Sequence, residues 1–226
     1  MIVESCSLVL PLLEQKQPVE LVLFNKRLFA CAEDSSLTLP VLPNLQRLHL
    51  IHIRLVHIHG SSFPALRSLR LSSWELLRDV LLSQLLAELP LLTELDIRKL
   101  SQLRGDGWLA ELQPLAALNI YGCSGLREEL LWAWLGGPAG AQLQRFALYA
   151  AGSPAVETAV RLCPNLSHLH IDTPQSFYRI LPALSRLKQL RHLHVHTGMA
   201  EDSKNAFTTG VYPAFFATET ESKRKV

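Results

Sequence analysis

Along most of the chain the apolar positions fall into one recurring phrase, Leu-x-x-Leu-x-Leu/Ile/Val, with mostly polar residues in the gaps. It is plainest at Leu166, Leu169 and Ile171 and at Leu190, Leu193 and Val195, inside Asn-Leu-Ser-His-Leu-His-Ile-Asp and Gln-Leu-Arg-His-Leu-His-Val-His. The same phrase stands at Leu45, Leu48 and Leu50; at Leu66, Leu69 and Leu71; at Leu92, Leu95 and Ile97; and at Leu115, Leu118 and Ile120. A weaker copy has Phe146 between Leu143 and Leu148. The first leucines, at 45, 66, 92, 115, 143, 166 and 190, lie 21 to 28 residues apart. A period of about 20 to 30 residues marks a stacked-repeat fold. Within each copy the period of two sends the later apolar residues to the core face of a short strand and the residues between them to the other face.

The segments between copies must return the chain to the start of the next strand, and several carry helix signals. Trp74 to Leu89 places Leu77, Leu81, Leu85 and Leu89 at steps of four, with Glu75 near its start and Pro90 at its end. Leu126 to Leu135 predicts a second helix, closed by Gly136-Gly137-Pro138. Ser153-Pro154 and Thr173-Pro174 have the order of an N-cap followed by proline in the first turn. In this spacing and phrasing the chain resembles the leucine-rich repeat proteins. The expected fold is therefore an α/β solenoid, with a curved parallel sheet on the concave side and helices and irregular segments on the convex side.

Three regions are expected. Residues 1–44 form a degenerate repeat or cap: Val19, Leu21 and Leu23 alternate, Leu37 and Leu39 do so again, and Glu33-Asp34-Ser35-Ser36 turns between them. Residues 45–197 form the solenoid. Residues 198–226, with the cluster Val211-Tyr212-Pro213-Ala214-Phe215-Phe216 and the ending Glu-Ser-Lys-Arg-Lys-Val, form a poorly ordered tail. Terminal repeats are commonly atypical because one side faces water.

Leu115-x-x-Leu118-x-Ile120-x-x-Cys123-x-x-Leu126 matches the cysteine-containing form of the repeat, and Cys163-Pro164-Asn165-Leu166 resembles its Cys-Pro-x-Leu lead-in to the strand. This form is similar to the substrate-binding half of F-box proteins, the receptor subunits of cullin-based ubiquitin ligases. The resemblance implies a substrate-recognition part of such a ligase, with a cullin-ligase adaptor as a further partner. At the Asn-or-Cys slot the other copies depart from the pattern with Ile53, Trp74, Leu100, Ala151, Pro174 and Gly198. The F-box itself is not visible: Leu10-Pro11-Leu12-Leu13-Glu14 only echoes its opening, and Pro18 follows too closely for a full helix. The chain is then a fragment, a diverged relative, or a repeat protein with no link to ubiquitin.

Composition narrows the setting without naming a partner. The 226 residues are 48% hydrophobic and 19% charged with a formal charge of +2, which leaves no electrostatic footprint of a nucleic-acid or membrane binder. Cys6, Cys31, Cys123 and Cys163 form no C-x-x-C pair, and the first residues lack the basic region of a secretory signal. Reduced thiols in a cytoplasmic or nuclear protein are expected. Accordingly, the sequon at Asn165 is read as unused, Arg104-Gly105-Asp106 as a coincidence, and Lys223-Arg224-Lys225 as a solvated terminus.

No phosphate loop, His-Glu-x-x-His or Gly-x-Ser-x-Gly motif is present, so no enzyme and no cofactor are expected. Glu128-Glu129 diverge on a helix surface, and Cys163 reads as buried packing. Of Trp74, Trp108, Trp132 and Trp134, Trp74 and Trp132 are expected in the core, whereas Trp108, after the flexible turn Arg104 to Gly107, is the candidate for exposure.

What remains is a protein-binding face without reactive groups. The residues between the strand leucines should face solvent on the concave side: Arg47, His49, Arg70, Glu94, Asp96, Arg98 and Asn119, then Tyr121 and Tyr149, then His170 and His194. Charges orient a partner, and tyrosines are enriched where partners bind. A second reading uses the histidines at 168–196. In-register strands would set His168 beside His192, His170 beside His194, and Asp172 beside His196, about 4.8 Å apart. That spacing permits His168, His170, His192, His194 and His196 to offer a metal site, or to act as an acid-sensitive patch whose charge rises between about pH 7 and pH 5.

Overall fold

The computed structural model describes residues 2–3, 10–24, 39–52, 60–74, 77–149, 153–173 and 179–197. The acidic turn at 33–36, the proposed helix start at Pro174 and the tail at 198–226 lie outside them. Among the described residues nine strands form one sheet in sequential order: β1 (Ile2–Val3), β2 (Glu20–Phe24), β3 (Arg47–Ile51), β4 (Ser68–Ser72), β5 (Glu94–Arg98), β6 (Ala117–Tyr121), β7 (Arg145–Leu148), β8 (His168–Thr173) and β9 (His192–Thr197). Every pairing is parallel. The class is therefore α/β with a single all-parallel sheet. Parallel neighbours need a long return, and here each return comes back to the position beside the strand it left, making one coil per strand.

The seven predicted phrases are strands β3 to β9, and β2 extends the ladder on the amino-terminal side with the same register, Leu21 opposite Leu48 and Leu23 opposite Leu50. Inward positions of β2 to β5 are closed to solvent, among them Leu48, Leu50, Leu69, Leu71, Leu95 and Ile97, each 0–1% exposed. Burying a leucine of this kind is worth about 1.5–3 kcal/mol. Ile120 on β6 is only partly buried, and the last strand departs furthest: Leu193 is 41% exposed, and no described coil lies beyond it.

Two recurring backbone devices make the coils alike. Leu42-Pro43-Asn44-Leu45, Phe63-Pro64-Ala65-Leu66, Leu89-Pro90-Leu91-Leu92 and Cys163-Pro164-Asn165-Leu166 are lead-in turns in which the leucine N–H donates to the carbonyl three residues back, at 3.1, 3.1, 3.1 and 3.4 Å. Proline presets the φ that the second position of such a turn needs. At the other end of the strand, His52, Ser73, Lys99 and Gly122 stand at one equivalent position with φ of 54°, 53°, 54° and 64°. The N–H groups of the first three continue the ladder to Ser72, Arg98 and Tyr121 of the next coil. Glycine at 122 adopts this left-handed turn without the Cβ strain the other three carry.

The returns carry α1 (Leu10–Lys16), α2 (Asp79–Ala87), α3 (Trp108–Glu111), α4 (Glu128–Leu135), α5 (Pro138–Gln142), α6 (Ser153–Leu162) and α7 (Leu181–Leu184). From α2 onward, most successive helices touch, forming a second layer over the core. Three expectations need correction. The helix expected from Trp74 to Leu89 begins only at Asp79, and Leu81, assigned to its buried stripe, is 40% exposed. Its end at Ala87 precedes Pro90, which belongs to the next lead-in turn. Pro138 does not simply close α4; it opens α5 from the first turn, where its missing N–H is harmless. The Leu10 to Glu14 stretch opens the seven-residue α1, which is ended by Gln17, with φ 44°, and Pro18.

Trp108 is also corrected. It is 1% exposed, and its indole Nε1–H donates to Asp79 Oδ1 at 2.8 Å. The same carboxylate accepts the backbone N–H of Arg104 at 3.1 Å and of Gly105 at 2.9 Å. Asp79, first in α2, thus ties down the following coil, and Arg127 pairs with Asp106 on the same turn. The turn is a fastened joint. Trp74, at 5% exposed, sits in the core and Trp132 packs against it, as expected.

Candidate binding face of the sheet

Parallel register arranges the outward side chains in three columns across the strands. The first runs Glu20, Arg47, Ser68, Glu94, Ala117, Arg145, His168 and His192; the second Val22, His49, Arg70, Asp96, Asn119, Ala147, His170 and His194. In the third, Phe24, Ile51, Ser72, Arg98 and Tyr121 are followed by Tyr149 just past β7, then by Asp172 and His196. All eleven residues predicted for the binding face lie on this side.

They are less solvated than expected. Asp96 is 3% exposed, Asn119 0% and His170 5%, so these three do not project into water as alternation alone predicts. Alternation decides which face a residue takes, and neighbours decide whether that face is wet. Asp96 is covered by arginines: Arg70 Nε lies 2.7 Å from its Oδ2, and Arg98 donates from Nε to Oδ1 and from Nη2 to Oδ2, both at 2.8 Å. Charge-assisted pairs of this kind are the strong ones, and here they satisfy a carboxylate that burial would otherwise penalise. Glu94 reaches across β6 to Arg145, which is possible because Ala117 between them is small. Arg47 is paired with Glu20 at 2.9 Å. Glu20 and Arg145 were missed in the sequence; their signal is opposite charge at equivalent positions of different coils.

Further along, the face turns aromatic. The Tyr121 and Tyr149 rings meet edge to face with centroids 4.4 Å apart, and Tyr149 lies 5.3 Å from His170. His168 stacks on His192 at 4.3 Å and His170 on His194 at 4.6 Å. The register is the one expected from the phrases, His168 opposite His192, His170 opposite His194 and Asp172 opposite His196. Asp172 lies 3.5 Å from His196 Nδ1. Stacked faces point the ring nitrogens along parallel planes instead of converging on one point. Among the described residues no group of three or more His, Cys, Asp or Glu is placed to hold a metal ion.

Two histidines are held neutral. Burial, and then the Arg70 guanidinium, lowers His49 from 6.5 to about 4. Burial, and then His194, lowers His170 to about 4. Of the cysteines, the two among the described residues are held as thiols: burial pushes Cys123 up to about 11 and Cys163 up to about 12. Cys163 is fully buried at its lead-in turn, and Cys123 donates weakly to the Tyr121 carbonyl. Asn165 spends its amide on Ala141 O and Gln189, bridging neighbouring coils.

On the opposite side, a cleft of about 370 Å³ is lined by Gly105, Leu109, Ala110, Leu130, Ala133 and Trp134 beside Asp106, Gly107 and Gly137. Its mainly apolar lining brings no converging polar groups together, unlike the sheet face. No described helix is long and apolar enough to cross a membrane. No family model matches the chain, and no curated protein matches it.

Proposed function

We propose that the chain is a non-enzymatic protein-binding module, built as a leucine-rich repeat solenoid, whose partner docks on the outward face of the sheet. One observation carries this reading. From β4 to β8 the outward side chains form a continuous layer in which charged and aromatic groups hold one another in place. Such a layer loses little freedom on binding, which is where affinity is gained. The 21- to 28-residue spacing, the sequential strand order and the opposing helices support the repeat assignment. Cytoplasm or nucleus is the setting that fits two unpaired, buried or half-buried thiols.

A place in an F-box type ubiquitin ligase is the narrower form of the proposal. It rests on Cys123 and on Cys163-Pro164-Asn165-Leu166, which resemble that subfamily, and it predicts that a cullin-ligase adaptor co-purifies with the chain. The test is affinity capture of the intact chain from a cell extract, followed by identification of what is retained. Tyr121→Ala with Tyr149→Ala should weaken recovery of the partner severalfold while the melting temperature moves little. Equal weakening by Glu128→Ala with Glu129→Ala, on the helix side, would move the site off the sheet.

The stacked histidine pairs favour one elaboration, acid-sensitive binding. A proton added to His170 is opposed by His194, whose ring is stacked 4.6 Å away at the carboxy-terminal end of the face. His170 keeps no proton until about pH 4, so partner capture should hold from pH 7 to pH 5 and fall only toward pH 4, and His170→Ala with His194→Ala should remove that fall.

A further inference from the structure

The carboxy-terminal end of the sheet stops short of closing its core. Among the described residues β9 pairs only with β8. Its inward Leu193 is 41% exposed where the equivalent Leu169 and Leu95 are 1% and 0%, and Leu190 and Val195 are only partly buried. Three apolar side chains at successive inward slots thus face the place where every coil from β3 to β8 has a neighbour. An edge of this kind is a template for pairing, and proteins manage it by covering it.

The sequence beyond β9 repeats the grammar of the coils before it. Four described strands are entered through a residue-Pro-x-Leu turn, and its first residue is buried each time: Leu42 and Cys163 at 0%, Phe63 at 1% and Leu89 at 2% exposed. Tyr212-Pro213-Ala214-Phe215 has the same form and is most like Phe63-Pro64-Ala65-Leu66. Phe215 stands 25 residues after Leu190, within the 21- to 28-residue spacing of the earlier first leucines. Residues 198–211 leave 14 for the return, against the 13 at 174–186 between β8 and Leu187.

Carried forward at the register of the described strands, Phe215 falls beside Leu190, Thr218 beside Leu193 and Thr220 beside Val195. The outward slots go to Ala217, Glu219 and Glu221, beside His192, His194 and His196. Threonine is a strand former, and its hydroxyl suits a terminal coil with water on its far side. The charges match as well. Exposed His194, stacked on His170 toward β8, gains Glu219 on its other side, and exposed His196 comes to lie between Asp172 and Glu221. A second copy joined through β9 would instead set these histidines against the same three residues. Lys223, Arg224 and Lys225 follow on the new edge, where lysine discourages further pairing.

We propose that residues 212–221 dock on the free edge of β9 as a closing coil, in place of a loose tail. Phe215, Thr218 and Thr220 cover the exposed end of the core, and Glu219 and Glu221 extend the outward face. This rests on the repeat reading of the coils and needs no partner protein.

Hydrogen exchange read by mass spectrometry on the intact chain tests it. The amides of 217–221 should be protected together with those of β9. In Phe215→Asp both should lose protection at least tenfold, while β3 to β7 keep theirs and so show that the variant has folded. Register is read from cysteine pairs, since opposite neighbours on parallel strands lie about 4.8 Å apart and within reach of a disulfide. His194→Cys with Glu219→Cys should oxidise within one chain at least tenfold faster than His194→Cys with Glu221→Cys. Exchange of 217–221 at the rate of a free peptide, with β3 to β8 still protected, would overturn the closing coil and leave the repeat fold standing. Unchanged protection of β9 in Phe215→Asp, or equal oxidation of the two pairs, would overturn it as well. So would protection that disappears on dilution, which would make a second copy the occupant.

Discussion

Mild acid should weaken this fold through two histidines that burial holds neutral. His49 and His170 are each lowered from 6.5 to about 4, chiefly by burial. The folded state thus refuses a proton that the unfolded chain accepts, so the stability held in these rings is complete above about pH 6.5 and drains away as the pH falls toward 4. At pH 5 the unfolded rings are almost fully charged and the folded ones almost neutral, which corresponds to about 2 kcal/mol for one ring. His170, 5% exposed, should deliver most of that. The partly exposed His49 is screened, and about 1 kcal/mol is expected of it. The sum, about 3 kcal/mol, is a large share of the 5–15 kcal/mol that holds a typical domain together. Urea unfolding followed by circular dichroism at pH 7.5 and 5.0 reads it directly. The wild type should lose about 3 kcal/mol, and His49→Gln with His170→Gln should lose less than half as much. A double variant that keeps the whole loss would refute the assignment to these rings, as would a wild type equally stable at both values.

Leu118→Asp, at 0% exposed, puts an unpaired carboxylate in the core and should cost several kcal/mol, seen as failure to melt cooperatively. Asp96→Ala strips the shared partner from Arg70 and Arg98 and should lower stability by about 3 kcal/mol in the same urea titration, whereas loss under about 1 kcal/mol would make the network ornamental. Asp79→Ala frees Arg104 N, Gly105 N and Trp108 Nε1 together; the expected cost is about 2 kcal/mol, and Trp108 fluorescence should shift to the red. Gly140→Ala drives a Cβ into the carbonyls of Leu135 and Leu162, so it should melt well below the wild type.

The parts of the fold set by local periodicity were readable from the residues. Inward leucines define the strands, equal phrasing fixes the register, and so His168 could be set beside His192 without coordinates. Two classes of fact were not readable. Helix limits depended on how a return packs: Leu81 continues the step of four in Leu77, Leu85 and Leu89 yet faces water. The wetness of the outer face depended on residues two coils apart. Arg145 reaches Glu94 only because Ala117 is small, and Asp96 is dry because arginines from its own and the preceding strand fold over it. Trp108 misled because its turn looks loose in sequence while its anchor, Asp79, lies in the preceding coil.

On the proposed reading, partners meet the sheet and not the helices. Site-specific photo-crosslinking separates the two: a benzophenone side chain is placed either at Ser72, on the outward face of β4, or at Val80, 67% exposed on α2. After illumination in cell extract, the captured partner should appear as an adduct of the Ser72 variant and be absent from the Val80 variant. An adduct from Val80 with none from Ser72 would contradict the assignment of the binding face.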